Sequence, residues 1–88
     1  MDLMLATSKA GHDAKQVYVV IEEIGDYYMI VNGTTKTMIK PKKKKKIHLQ
    51  LIKNLPTEVF EIYDSSKPLD DLTIKRILKV YNRRNKDV

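Results

Sequence analysis

Two turn signals, Gly25-Asp26 and Asn32-Gly33, bracket the five residues Tyr27–Val31, and they restrict the fold more than any other feature of the chain. A two-residue turn with glycine suits the primed hairpin geometries, and Asn-Gly tolerates positive φ at both central positions. The chain must therefore double back before Tyr27 and again after Val31. Gln16 to Ile24, on the far side of the first turn, is rich in Val, Ile and Tyr, which fit a pleated sheet. These segments predict an antiparallel meander.

The flanking segments extend that meander. Asp2 to Thr7 alternates weakly as a first short strand, and residues 8–15 break the pattern as a loop of small, polar and charged residues. Thr34 to Lys40 reads as a further strand, with Thr35, Thr37 and Ile39 alternating against Lys36, Met38 and Lys40. Pro41 cannot donate to a ladder, so pairing is expected to stop there or to run along an edge. Ile47 to Ile52 resumes an apolar pattern through Ile47, Leu49 and Leu51, as one closing strand. Four to five short strands joined by tight turns predict a mainly β fold, a small SH3-like barrel spanning residues 1–55.

After Pro56 the pattern changes. Thr57 is the expected N-cap of a short helix running to about Tyr63, with Glu58 and Glu61 near its positive end. Asp64 to Pro68 reads as a linker. Asp70 or Asp71 then caps a helix whose Ile74, Ile77, Leu78 and Tyr81 form one apolar stripe, opposite Lys75, Arg76, Lys79, Arg83 and Arg84. Residues 56–88 are thus expected as a C-terminal helical segment, its stripe buried against the barrel or a partner. No internal repeat is present.

Charge is the strongest functional signal. Between Asp26 and Glu58 the chain carries eight lysines (Lys36, Lys40, Lys42, Lys43, Lys44, Lys45, Lys46 and Lys53) and no carboxylate. Such a tract repels itself and calls for a polyanion or bulk water beside it. With a net charge of +6, phosphate partners or an anionic surface are favoured over acidic small molecules. An 88-residue domain buries only ~60% of its unfolded surface, leaving little room for a deep substrate cleft. Cysteine is absent, which excludes disulfides, thiol nucleophiles and Cys-based zinc sites. The N-terminus has neither a basic segment nor a long apolar run, so a soluble cytoplasmic protein without signal peptide is expected.

Catalysis has little support. Glu22 and Glu23 are strand neighbours that point apart, and His12 and His48 show no ligand spacing. No enzyme activity, metal or cofactor is expected. Lysines that neutralise phosphates release condensed counterions and give affinity with little sequence information. Gly11, flanked by Lys9, His12 and Lys15, marks either a loop able to approach a sugar–phosphate backbone or an ordinary surface turn. Of Tyr27 and Tyr28, neighbours on one strand, one should be exposed as a stacking platform for an unpaired base or as an ordinary amphipathic sheet residue.

From Lys9 to about Lys46 the chain resembles the KOW-domain RNA-binding proteins, in particular bacterial relatives of the fourteen-e protein of the large ribosomal subunit. The resemblance rests on Ala10-Gly11-His12-Asp13-Ala14, on the strand Val17-Tyr18-Val19-Val20-Ile21, on Tyr28-Met29-Ile30-Val31-Asn32-Gly33 and on Lys40-Pro41-Lys42-Lys43-Lys44. A helical segment from Leu69 onward also matches. The chain departs from the family at Lys15, where a second glycine is usual. The resemblance implies an SH3-like barrel that binds ribosomal RNA through Gly11, His12 and Asp13 of the first loop and through Lys40 and Lys42 to Lys46. Lys9, Lys15 and Lys36 would add phosphate contacts.

The expected function is therefore non-catalytic RNA binding on or near the large ribosomal subunit. The alternative is a protein-interaction module of a transcription or translation complex, using the barrel and the C-terminal helix. Attachment to an anionic membrane would rest on the lysine cluster alone.

Overall fold

The computed structural model describes residues 3–9 and 16–85. Five antiparallel strands form one curled sheet: β1 (Met4–Ser8), β2 (Val17–Ile24), β3 (Tyr27–Val31), β4 (Lys42–Lys45) and β5 (Leu49–Leu51), in the spatial order β4-β3-β2-β1-β5. Two helices follow, α1 (Thr57–Ile62) and α2 (Asp71–Asn85). The chain is mainly β, a small SH3-like barrel with a C-terminal helical segment.

The Gly25-Asp26 turn is where the sequence places it, with Gly25 at φ +56° between β2 and β3. The register pairs Val19 with Val31 and Val20 with Ile30, then shifts by one residue so that Glu22 faces Met29 and Ile24 faces Tyr27. This bulge lets β2 bend, as a curled sheet requires.

Both faces of the sheet are buried over β1 and the first half of β2. The inner, concave face holds Ala6, Tyr18, Val20, Tyr28, Ile30 and Leu49. The outer face holds Leu5, Val19 and Val31, packed with Val59 of α1 and Ile74, Ile77 and Leu78 of α2. A strand buried on both sides reads as a continuous apolar run, which accounts for Val17 to Ile21. The apolar stripe of α2 thus packs on the barrel, and the core runs across Pro56 rather than ending there.

Helix ends follow local chemistry. The Asp70 carboxylate accepts a bond from the Thr73 amide at 2.7 Å, so Asp70 caps α2. Those bonds, to the backbone N–H first and then to the Thr73 side chain, hold the Asp70 carboxyl below its ordinary pKa. Thr57 is the first helical residue of α1 rather than its cap; Pro56 occupies the cap position and offers no side-chain bond.

One strand expectation is corrected. Residues 34–40 form no strand, because the Asn32 side chain captures the amides a ladder would need. Its Oδ1 accepts from the Thr34 amide at 3.0 Å and the Lys36 amide at 2.9 Å, while the Asn32 and Gly33 amides both donate to the Lys36 carbonyl. Gly33, at φ +83°, sits so close to α2 that a Cβ would lie 2.7 Å from the Asp71 carbonyl oxygen. Met38 donates its amide to the Asp71 carboxylate at 3.0 Å, which ties the same connection to the start of α2. After Pro41 the chain takes the second of the two expected courses, and pairing runs along an edge. The strand opposite β3 is the lysine run itself, along an edge of the sheet where a preceding proline is tolerated.

The closing strand is also shorter than expected. Lys46–His48 form a 3-10 turn that redirects the chain from β4 to β5. Ile47 lies on that turn and is 70% exposed, because the reversal offers it no inward position.

Candidate nucleic-acid interface

Register decides where each lysine of β4 points. Lys42 and Lys44 pair with Ile30 and Tyr28, residues of the concave face, whereas Lys43 and Lys45 pair with Met29 and Tyr27, which face outward. The acid-free tract is therefore dealt alternately to two surfaces. Lys40, Lys42, Lys43 and Lys45 are exposed; Lys36, Lys44 and Lys46 are half-buried.

The half-buried lysines are anchored. Lys44 donates from Nζ to the Ser8 hydroxyl at 3.2 Å, spanning from β4 to β1 across the mouth of the barrel. The Lys46 ammonium pairs with the Glu23 carboxylate, and its amide donates to the Asp26 carbonyl at 2.9 Å. The Glu23 hydrogen bond holds the Lys46 pKa above its ordinary value, so this ammonium remains charged but already has a counterion. Lys36 lies over the Tyr18 ring at 5.3 Å.

Tyrosines and lysines interleave across the sheet. Beyond Lys36 and Tyr18, Lys43 Nζ lies 4.5 Å from the centre of the Tyr27 ring and Lys46 Nζ lies 5.0 Å from that of Tyr28. A cation over an aromatic face is attracted by the ring quadrupole, by about 0.5–1 kcal/mol at exposed sites. The lysine stems also cover apolar surface that the thin barrel leaves open. Of the two neighbouring tyrosines, Tyr28 turns inward and is buried, while Tyr27 faces out and is half-buried.

Folding brings separate parts of the sequence together at the seam between β4 and β5. The Lys9 amide donates to the His48 carbonyl at 3.0 Å, two residues beyond Lys46. Lys9, exposed at the end of β1, thus adjoins the end of the lysine run, and Ser8 beside it receives Lys44. Gly11, His12, Asp13 and Lys15 lie outside the described residues.

The sequence reading missed two participants, Ser8 and Glu23, and the pairing of Tyr27 with Lys43, which it named separately. Nothing in the sequence marks Ser8 or Glu23, whose partners are 36 and 23 positions away. The outward pair follows once Lys42 to Lys45 are aligned as a strand against Tyr27 to Ile30.

Among the described residues no cluster of three His, Asp or Glu side chains converges to hold a metal ion, and no helix is long and apolar enough to cross a membrane. The chain matches no protein-family model and no curated protein.

Proposed function

We propose that this protein is a non-catalytic RNA-binding module that grips phosphates along β4 and at the adjoining seam. The supporting observation is the edge position of β4: a lysine-only strand on a rigid sheet, with Lys40, Lys42, Lys43 and Lys45 exposed and Lys9 beside its end. A ligand that tracks this edge meets cations at the strand repeat of ~3.3 Å per residue, alternating between two faces. A polynucleotide backbone supplies anions at short, regular intervals to match. The Lys40-Pro41-Lys42 element agrees with the resemblance to KOW-domain proteins, which points to ribosomal RNA on the large subunit in the cytoplasm.

The apolar stripe of α2 favours this reading over a protein-interaction module, because Ile74, Ile77 and Leu78 are spent in the protein's own core. The test is sedimentation of the tagged protein in cell lysate at low and high salt. Comigration with the large ribosomal subunit that is lost as salt rises, and lost at low salt after ribonuclease treatment, is expected. A protein that stays at the top of the gradient under all conditions refutes the ribosomal assignment.

A further inference from the structure

The outer face of the sheet has two halves with different fates. The half near β1 is covered by the helices, whose core residues pack with Leu5, Val17, Val19, Ile21 and Val31. The half toward β4 is not part of either core. There the register sets out two cross-strand rows, Glu22-Met29-Lys43 and Ile24-Tyr27-Lys45. Ile24 is 43% exposed, and Tyr27 and Met29 are half-buried. This surface is an apolar floor with one aromatic ring, bordered along the sheet edge by two ammonium groups.

We infer that this patch is a nucleotide-binding subsite, in which an unpaired base of a single-stranded RNA segment lies on Tyr27 and its flanking phosphates meet Lys43 and Lys45. The inference rests on the RNA-binding reading and adds the kind of RNA bound, a loop, bulge or single strand instead of continuous duplex. In a duplex the base faces are stacked inside and closed to a protein ring, whereas a splayed base offers its π-face to an aromatic side chain. Charge selects the occupant. The only carboxylate in the two rows, Glu22, lies on β2, on the far side of β3 from Lys43, so phosphates are drawn to the β4 side and the base is left over Tyr27.

The geometry holds the ring ready. Lys43 Nζ sits 4.5 Å from the ring centre, where its cation occupies the face a base would take. A base that stacks there displaces the ammonium by a few ångströms toward the phosphate beside it. Lysine gains a phosphate partner for the ring it gives up, so base and phosphate bind together. Tyr28, its neighbour, is buried on the concave face and is closed to this role.

The experiment compares two ligands of equal charge, a uridine decamer and a decamer of abasic ribose phosphates, by fluorescence anisotropy at fixed salt. Wild-type protein is expected to bind the uridine decamer roughly 5- to 150-fold more tightly, the range of base–aromatic stacking. Tyr27→Ala should bring that ratio close to one while preserving the salt dependence, and Tyr27→Phe should restore it. Equal affinity of the wild type for both decamers, with a normal salt dependence, overturns the subsite and leaves the phosphate reading standing. Failure of either decamer to show salt-dependent binding overturns both. Self-association of the wild type that Tyr27→Ala abolishes, with a ratio of one, would assign the patch to a second copy of this chain and also overturn the subsite.

Discussion

The lysines of the run are not equivalent, and substitution separates them. Lys46 shares its charge with Glu23 and Lys44 donates to Ser8, whereas Lys40, Lys43 and Lys45 project from the edge and the connection before it. Each lysine that neutralises a phosphate contributes about 0.7 to the slope of log K against log salt for a single strand and about 0.9 for duplex. Replacing Lys40, Lys43 and Lys45 together with glutamine should therefore lower the slope by about 2 to 2.7. Lys46→Gln alone should leave the slope nearly unchanged, because its ammonium already has a carboxylate partner. The reverse change is more telling: Glu23→Gln frees Lys46 and should steepen the slope by up to about 0.7–0.9 and tighten binding. Filter binding from 50 to 200 mM salt resolves these differences, since a slope change of 2 across that fourfold range alters affinity by about 16-fold. Loss of slope of the same size in Lys46→Gln as in Lys43→Gln, or weaker binding by Glu23→Gln, would refute the assignment of roles.

Three further outcomes follow from the packing. Gly33→Ala forces a Cβ into the Asp71 carbonyl and a side chain into positive φ, and should cost about 2–4 kcal/mol, lowering Tm by 10 °C or more in thermal melts. Ile77→Ala, at a fully buried position shared by α2 and the sheet, should cost about 2–5 kcal/mol in urea unfolding, with the β signal and the helix signal lost in one transition. Helix and sheet unfolding in separate transitions would show that α2 is not part of the barrel's core. Asp70 has a folded pKa below its unfolded one, so its cap stabilises the fold above the ordinary carboxylate pKa of about 3.9 and is lost as pH falls further. Asp70→Asn should flatten the acid limb of the stability–pH curve between pH 5 and 2, and an unchanged limb would contradict the cap.

The first turn, β2, β3 and the stripe of α2 were legible because local signals and tertiary structure agree there. Gly25 takes the positive φ its turn needs, Val17 to Ile21 is apolar on both faces, and Ile74, Ile77 and Leu78 share one helix face. The segment from Asn32 to Ile47 was misread for a definite reason. Alternation in Thr34 to Lys40 imitates a strand, but Asn32 offers those amides a nearer acceptor, and a side chain that closes the loop locally outcompetes a ladder. A row of lysines has no alternation at all, so no pattern could place it in a sheet; only the partner strand, with Tyr27 to Ile30 opposite, does so. The candidate cations were legible as a group. Their division into anchored and projecting members was not, because Ser8 and Glu23 are distant in sequence.

Why four consecutive lysines, Lys42 to Lys45, form a strand follows from the same electrostatics that would let them bind a polyanion. In a helix, lysines three and four apart would come within ~5–6 Å at Cβ, as Lys42 would with Lys45 and Lys46, and Lys43 with Lys46. A strand sends consecutive side chains to opposite faces, so same-face lysines in β4 are two residues apart, ~6.6 Å along the strand. At that separation the repulsion in water is only about 0.6 kcal/mol per pair before salt screens it. Tyr27 and Tyr28 offset part of this through the cations over their rings. An edge is also the one place in a sheet where the lysines keep their water, and there they oppose pairing with another chain's exposed strand. Among the described residues no carboxylate pairs with Lys43 or Lys45, and a bound phosphate would relieve the remaining repulsion. The free protein should therefore gain stability both from added salt and from RNA, whereas RNA binding itself weakens with salt. Those opposite responses to one variable are what an edge strand of lysines imposes.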